Sequence, residues 1–296
     1  MNIKSLVNEI FDISKEDAIK DYNNLPKNCE DLSKIKPMSR VGSKFVDYFT
    51  SLQRLNTVGN KGLTFWDLYE NRDKFLKKNY VNRMYNYYHK THPNYSDIKI
   101  WWRISNIYFG SINIFKPTIA MSVYCKYKPK SILDPTMGWG GRLVGATALN
   151  ISKYTGIDLN SELKKPYNEM VKTLKPLTET NINLIFKDAL KVDYSKIDYD
   201  LVLTSPPYYN IEIYKGTKEM NKEEWNNNFY KPLFIKTFAH LKKGGHYCLN
   251  IPEEVYKNVC IGVLGDADEF LPLPKALRTT EEKYKEYIYV WKKKNV

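Results

Sequence analysis

SILDPTMGWGGRLVGATALN, residues 131–150, reads as a strand, a glycine turn and a helix in direct succession. SILD (131–134) is a short apolar run, TMGWGG (136–141) supplies glycines where the chain must turn sharply, and GRLVGATALN (141–150) suits a helix. The same texture continues downstream. YTGID (154–158), NINLIF (181–186), DLVLT (200–204), HYCLNI (246–251) and YIYVW (287–291) read as further strands. SELKKPYNEMVKTL (161–174) reads as a helix, and so does WNNNFYKPLFIKTFAHLKK (225–243), with Gly244-Gly245 as its C-cap. Strands alternating with helices predict an α/β fold over 111–296, a doubly wound, mostly parallel sheet. Residues 1–110 read instead as a mainly helical region, with segments such as FWDLYENRDKFLKKNYVNRMYNYYHK (65–90) at helical spacing.

In such sheets ligands bind beyond the carboxyl ends of the strands. The turn Asp134-Pro135-Thr136-Met137-Gly138-Trp139-Gly140-Gly141 stands there, and its glycines let a ligand approach the backbone. It is neither a GxGxxG fingerprint nor a P-loop, since no third glycine and no GK[ST] follows. Asp158 closes the second strand at the spacing of a ribose-binding carboxylate, and Asp188 follows the third. Each acid could equally serve as a helix N-cap. An acid at position 134 favours a cationic ligand group over a phosphate. S-adenosylmethionine carries an ammonium, a sulfonium and a ribose, so it is the expected cofactor.

After the fourth predicted strand comes Ser205-Pro206-Pro207-Tyr208. SPPY is similar to the (Asp/Asn/Ser)-Pro-Pro-(Tyr/Phe/Trp) motif of the S-adenosylmethionine-dependent amino-methyltransferases of DNA. The substrate this resemblance implies, an exocyclic amino nitrogen, is a poor nucleophile and needs acceptors that draw off its protons. The Pro206 carbonyl, aimed by two locked φ angles, and the Ser205 hydroxyl are the candidates, and Tyr208 would stack on a flipped-out base. No cysteine nucleophile neighbours this turn. DPTMGWGG resembles the cofactor motif of the same family, Phe115-Lys116-Pro117-Thr118 its segment over the methionine, and LKKGGHYCLNI (241–251) the motif after the catalytic one. The likeness covers about residues 115–255 and implies a Rossmann-like methyltransferase domain that methylates cytosine N4 or adenine N6, the serine favouring cytosine.

The resemblance assigns Asp134 to the methionyl ammonium, Asp158 to the ribose and Asp188 to the adenine amino group. Lys116, Pro117, Thr118, Pro135, Met137, Gly138 and Gly140 complete the cofactor set, while Ser205, Pro206, Pro207 and Tyr208 form the catalytic one. Glu212 is a further pocket candidate; Trp225 and Tyr230 read as helix packing. Two alternatives stay open. One is an RNA base methyltransferase; the other is a nucleic-acid-binding protein on an inactive methyltransferase fold.

Net charge is +13, with residues 1–31 at −3, 32–130 at +13 and 131–296 at +3. Lysine-rich codon usage would raise charge evenly, so the concentration in 32–130 points to a phosphate-facing region, with DNA as the expected partner. Arg40, Lys44, Arg54, Lys61, Arg83 and Arg103 are its candidate contacts. The aromatics between Phe75 and Phe109 read as a small core first and as base-stacking rings second. No apolar run spans a membrane, and the start is too polar for a signal peptide, which predicts a cytoplasmic protein. Cys29, Cys125, Cys248 and Cys260 lack disulfide or metal spacing, so free thiols in a reducing compartment and no metal are expected.

Overall fold

The computed structural model describes residues 3–36, 39–59, 61–108, 110, 112–210, 220–273 and 286–294. Among these, seven strands form one sheet: β1 Ser131–Asp134, β2 Lys153–Asp158, β3 Asn181–Phe186, β4 Leu201–Thr204, β5 His246–Asn250, β6 Glu269–Pro272 and β7 Tyr287–Lys292. Their order is β3-β2-β1-β4-β5-β7-β6. β1 to β5 run parallel, and β7 lies antiparallel between β5 and β6. The expected doubly wound, mostly parallel sheet is what the chain builds. The order in which strands are added reverses between β1 and β4, where such sheets open a crevice.

The two central strands are buried along their whole length, as strands covered on both faces must be. Successive side chains alternate between two cores. Ile132, Leu201, Leu203 and Cys248 face helices 117–127, 141–148 and 164–174; Leu133, Val202, Tyr247 and Leu249 face helices 231–239 and 253–255. Ala18, Tyr22, Leu25, Phe45, Val46 and Phe49 join the first of these cores, helix 15–23 packing on helix 43–55 and helix 43–55 on helices 141–148 and 164–174. A third core holds Ile10, Leu55, Phe65, Leu68, Val81, Ile98, Trp101 and Ile104, within the helical part.

Three details differ from the sequence reading. The helix expected over 225–243 starts at Lys222, passes through a π-turn at Asn226–Tyr230 and ends at Ala239. Pro232 cannot donate into the preceding turn and its ring would strike the carbonyl four residues back, which accounts for the wider turn before it. Gly244-Gly245 therefore shapes the approach to β5 rather than capping the helix: a Cβ at Gly245 would lie 2.5 Å from the Asp200 carbonyl. β6 carries no clear signal in the sequence, because EFLP is a short edge strand that is half-buried on one face and exposed on the other.

Cys29 and Cys125 form a disulfide with 5.4 Å between their Cα atoms, tying helix 29–33 to helix 117–127. This corrects the expectation of four free thiols. A separation of 96 residues carries no motif, and only the docking of the two helices brings the cysteines together. Cys248 and Cys260 remain free and buried.

Candidate functional site

Two cavities open where β1 and β4 part. The first, of about 530 Å³, is lined by the ends of β1, β2 and β4, by Leu159, Leu190 and by Trp225 and Phe229 of the π-turn helix. The second, of about 380 Å³, is lined by Asn113–Lys116, Met137, Arg142, Tyr208 and Asn250. Gly138, Trp139, Ser205 and Pro207 line both. Glycine turn and SPPY turn thus stand side by side on the boundary between the chambers.

The glycine turn is set by close approach. Gly138 takes φ +56°, and its N–H donates to Asp158 at 2.9 Å, while the Tyr167 hydroxyl donates to the Gly138 carbonyl at 2.9 Å. At Gly141 a Cβ would fall 1.7 Å from the Phe115 carbonyl oxygen. The 113–116 segment can close over the turn only because that position is bare. Lys116 is the N-cap residue of helix 117–127 and lines the second cavity, whereas Pro117 and Thr118 are buried; Thr118 donates to the Ser39 carbonyl. Of that trio, Lys116 alone lines either chamber; in the turn, Pro135 lines the first and Met137 the second.

Asp158 lies at the end of β2 with its carboxylate on the first cavity. One oxygen accepts from Gly138 and the other from the Asn160 N–H at 2.9 Å, leaving lone pairs toward the chamber. Burial pushes its carboxyl up to about 6; the two N–H donors pull the other way. Asp188 lines the same cavity and also caps the short helix 189–191 through the Leu190 N–H.

Asp134 is a correction. It is fully buried, and its carboxylate accepts from Arg142 Nε at 2.7 Å, Arg142 Nη2 at 3.0 Å, Tyr154 at 2.7 Å and Thr204 at 3.0 Å. Those four donors use its lone pairs, so no ligand ammonium reaches it. The cation that an acid at 134 calls for is the chain's own Arg142. The mutual attraction of the pair outweighs burial and holds the guanidinium charged.

In the SPPY turn, Pro207 and Pro206 play different parts. The Tyr230 hydroxyl donates to the Pro207 carbonyl at 2.5 Å and accepts from the Tyr209 N–H. The Pro206 carbonyl accepts from no described residue, and Pro206 lines the second cavity. Tyr208 donates to the Asn250 side chain at 2.9 Å and carbonyl at 3.1 Å, and Ser205 donates to the Asn250 side chain at 3.2 Å. The Ser205 and Tyr208 hydroxyls lie 3.1 Å apart and either can donate to the other, so with its own proton on Asn250 the Ser205 oxygen keeps at least one lone pair for another donor. Sequence reasoning missed Asn250, Trp139 and Arg142, and took Tyr230 as packing alone. Trp225, also read as packing, lines the first cavity. For Asn250 a signal existed: a polar residue ending a strand paired in parallel with the one before SPPY. Glu212 lies outside the described residues.

The candidate basic contacts divide. Arg40, Lys44, Lys61 and Arg83 are exposed, and Arg103 is half-buried over the Trp102 ring at 4.9 Å. Arg54 is a correction: it is mostly buried and paired with Asp47, so it cannot meet a phosphate. Arg54→Glu is expected to lower the melting temperature, leaving any loss of nucleic-acid binding secondary to unfolding; a variant melting like wild type would refute this. Among the described residues no His/Cys/Asp/Glu cluster could hold a metal, and no helix is long and apolar enough to cross a membrane.

No protein-family model matches the chain, and no curated protein does. Solved structures do. TrmN from Thermus thermophilus is 19% identical with a TM-score of 0.39, over 60% of this chain and 48% of that one. An rRNA methylase from Streptococcus thermophilus is 14% identical with a TM-score of 0.42, over 62% and 99%. Trm5 from Methanocaldococcus jannaschii, solved with adenosine, is 16% identical with a TM-score of 0.38, over 61% and 49%. This chain thus spans about half of two of these proteins. The functional reading rests on the site itself.

Proposed function

We propose that this protein transfers a methyl group from S-adenosylmethionine to the exocyclic amino group of a base in DNA, cytosine N4 ahead of adenine N6. The observation that carries the proposal is the shared boundary: Ser205 and Pro207 line both the chamber that holds Asp158 and the chamber that holds Tyr208. A donor in one and a base in the other meet at the SPPY turn. The residues present fit the cofactor. Asp158 offers carboxylate lone pairs for ribose hydroxyls, and Leu159, Leu190 and Phe229 offer an apolar slot for a purine. When bound, S-adenosylmethionine supplies an electrophilic methyl on a sulfonium.

The chain's own part is to hold the amino group and take up its protons' hydrogen bonds. The Pro206 carbonyl, which accepts from no described residue, and the Ser205 oxygen are the acceptors, and these bonds strengthen as positive charge develops on the attacking nitrogen. Tyr208, anchored through Asn250, gives a fixed aromatic face for the base. Trp139, buried at the boundary, helps exclude water.

The test is mass spectrometry of nucleosides after incubation of the protein and cofactor with DNA and, separately, with RNA. N4-methylcytosine or N6-methyladenine from DNA is the expected product. Modification of RNA alone would overturn the choice of substrate, and no methylated base from either would overturn the reaction.

Two further results are expected at Asp158. Asp158→Ala should weaken cofactor binding by about 1.5–3 kcal/mol, the range for hydrogen bonds to a charged group. Affinity should also depend on pH with a definite sign. Ribose hydroxyls donate to the ionised carboxylate, whose pKa in the free protein is about 6. Affinity is therefore full above that value and falls as pH drops through it, by up to about tenfold per unit. Calorimetry at pH 5 and 7.5 checks both; equal affinities at the two values would remove Asp158 from the ribose site.

A further inference from the structure

Helix 79–91 has no acidic residue, and none lies between Asp73 and Asp97. Tyr80, Arg83, Tyr87 and Lys90 recur on it at i, i+3, i+7 and i+10, the spacing of a single face. All four are exposed, Tyr80 by 47% and Tyr87 by 60%. The opposite side supplies the packing, with Val81 fully buried and Met84, Tyr85 and Tyr88 against the third core. Large rings left in water on the face that also carries the cations are not needed by that core.

At the head of the face Tyr80 is stacked on Tyr108, with centroids 5.9 Å apart and planes 6° from parallel. Lys78 donates to the Tyr108 hydroxyl at 3.0 Å and lies 5.3 Å over its ring. The Lys78 hydrogen bond lowers the Tyr108 pKa. Tyr108 is only five residues before Asn113, which lines the second cavity. That length of chain spans at most about 18 Å.

We propose that this face is a docking surface for an unpaired strand of DNA next to the base that enters the second cavity. The inference rests on the methyl-transfer reading for its choice of partner. Charge complementarity argues for a polyanion. Exposed rings interleaved with the cations argue for one whose bases are accessible, because every base offers a face to stack on while a duplex hides it. Arg83 and Lys90 follow the phosphates; Tyr80 and Tyr87 stack on the bases between them.

The test uses a fluorescent 15-nucleotide single strand, the same sequence as a duplex and the matching RNA, each bound to the full chain across a salt series. The wild-type protein should prefer the single-stranded DNA. Tyr80→Ala/Tyr87→Ala should weaken it by about tenfold or more, with Tyr80→Phe/Tyr87→Phe near wild type, since stacking needs the ring and not the hydroxyl. Arg83→Glu/Lys90→Glu should weaken binding and flatten the log–log salt slope by about 0.7 per side chain. Unchanged binding by both double variants, tighter binding of the duplex or tighter binding of the RNA each overturns the proposal. Methylated-base analysis of the wild-type protein runs beside it. Methylation without any effect of these variants sinks the surface alone, whereas a missing methyl product sinks the reaction.

Discussion

Arg142→Ala is expected to cost about 3–5 kcal/mol of stability, the penalty for stripping one partner from a buried ion pair. The remaining Asp134 carboxylate would stay buried with only Tyr154 and Thr204 as donors. In a protein of this size that loss corresponds to a fall on the order of 10 °C in melting temperature. Replacing both partners by apolar residues, Asp134→Leu with Arg142→Met, should recover much of it, because no uncompensated charge then remains. Thermal melts of the two variants decide the matter. A single variant that melts like the wild type but loses cofactor affinity would show that Arg142 serves the ligand rather than the fold.

The second large effect is expected at the SPPY turn. Ser205→Ala should lower turnover on the order of 100-fold, as removal of one preorganised hydrogen-bonding group at a reacting atom does. Cofactor affinity should stay near wild type, since the interaction belongs to the transition state. Tyr208→Ala should cost turnover as well, whereas Tyr208→Phe keeps the ring and loses only the anchor to Asn250. Single-turnover rates beside calorimetric cofactor binding separate these cases. An equal loss in rate and in cofactor affinity for Ser205→Ala would move that residue into the cofactor site.

Much of this was legible because strands and turns are written locally. SILD, NINLIF and the turn at 136–141 each announce themselves within a few residues, and the crevice follows from where the strand order reverses. What stayed hidden depends on distant partners. An acid at position 134 calls for a cation, yet nothing in the string says that the cation is eight residues on rather than in the ligand. Arg54 looks like any surface base until helix 43–55 turns it onto Asp47. Cys29 meets Cys125 only through helix docking. Asn250 was missed because its value comes from the neighbouring strand, which brings it beside Ser205 and Tyr208.

The position of β7 bears on synthesis. Its residues, Tyr287–Lys292, come late in the chain, yet it lies inside the sheet between β5 and β6. A nascent chain that has emerged only as far as β6 has a strand with no partner, because among the described strands β6 pairs with β7 alone, and a β5 whose outer edge is bare. An early stop before residue 287 would thus not trim the rim of the sheet. It would turn β5, an interior strand, into an open edge, the kind of edge on which chains join one another. The last hairpin must be translated before the sheet can close.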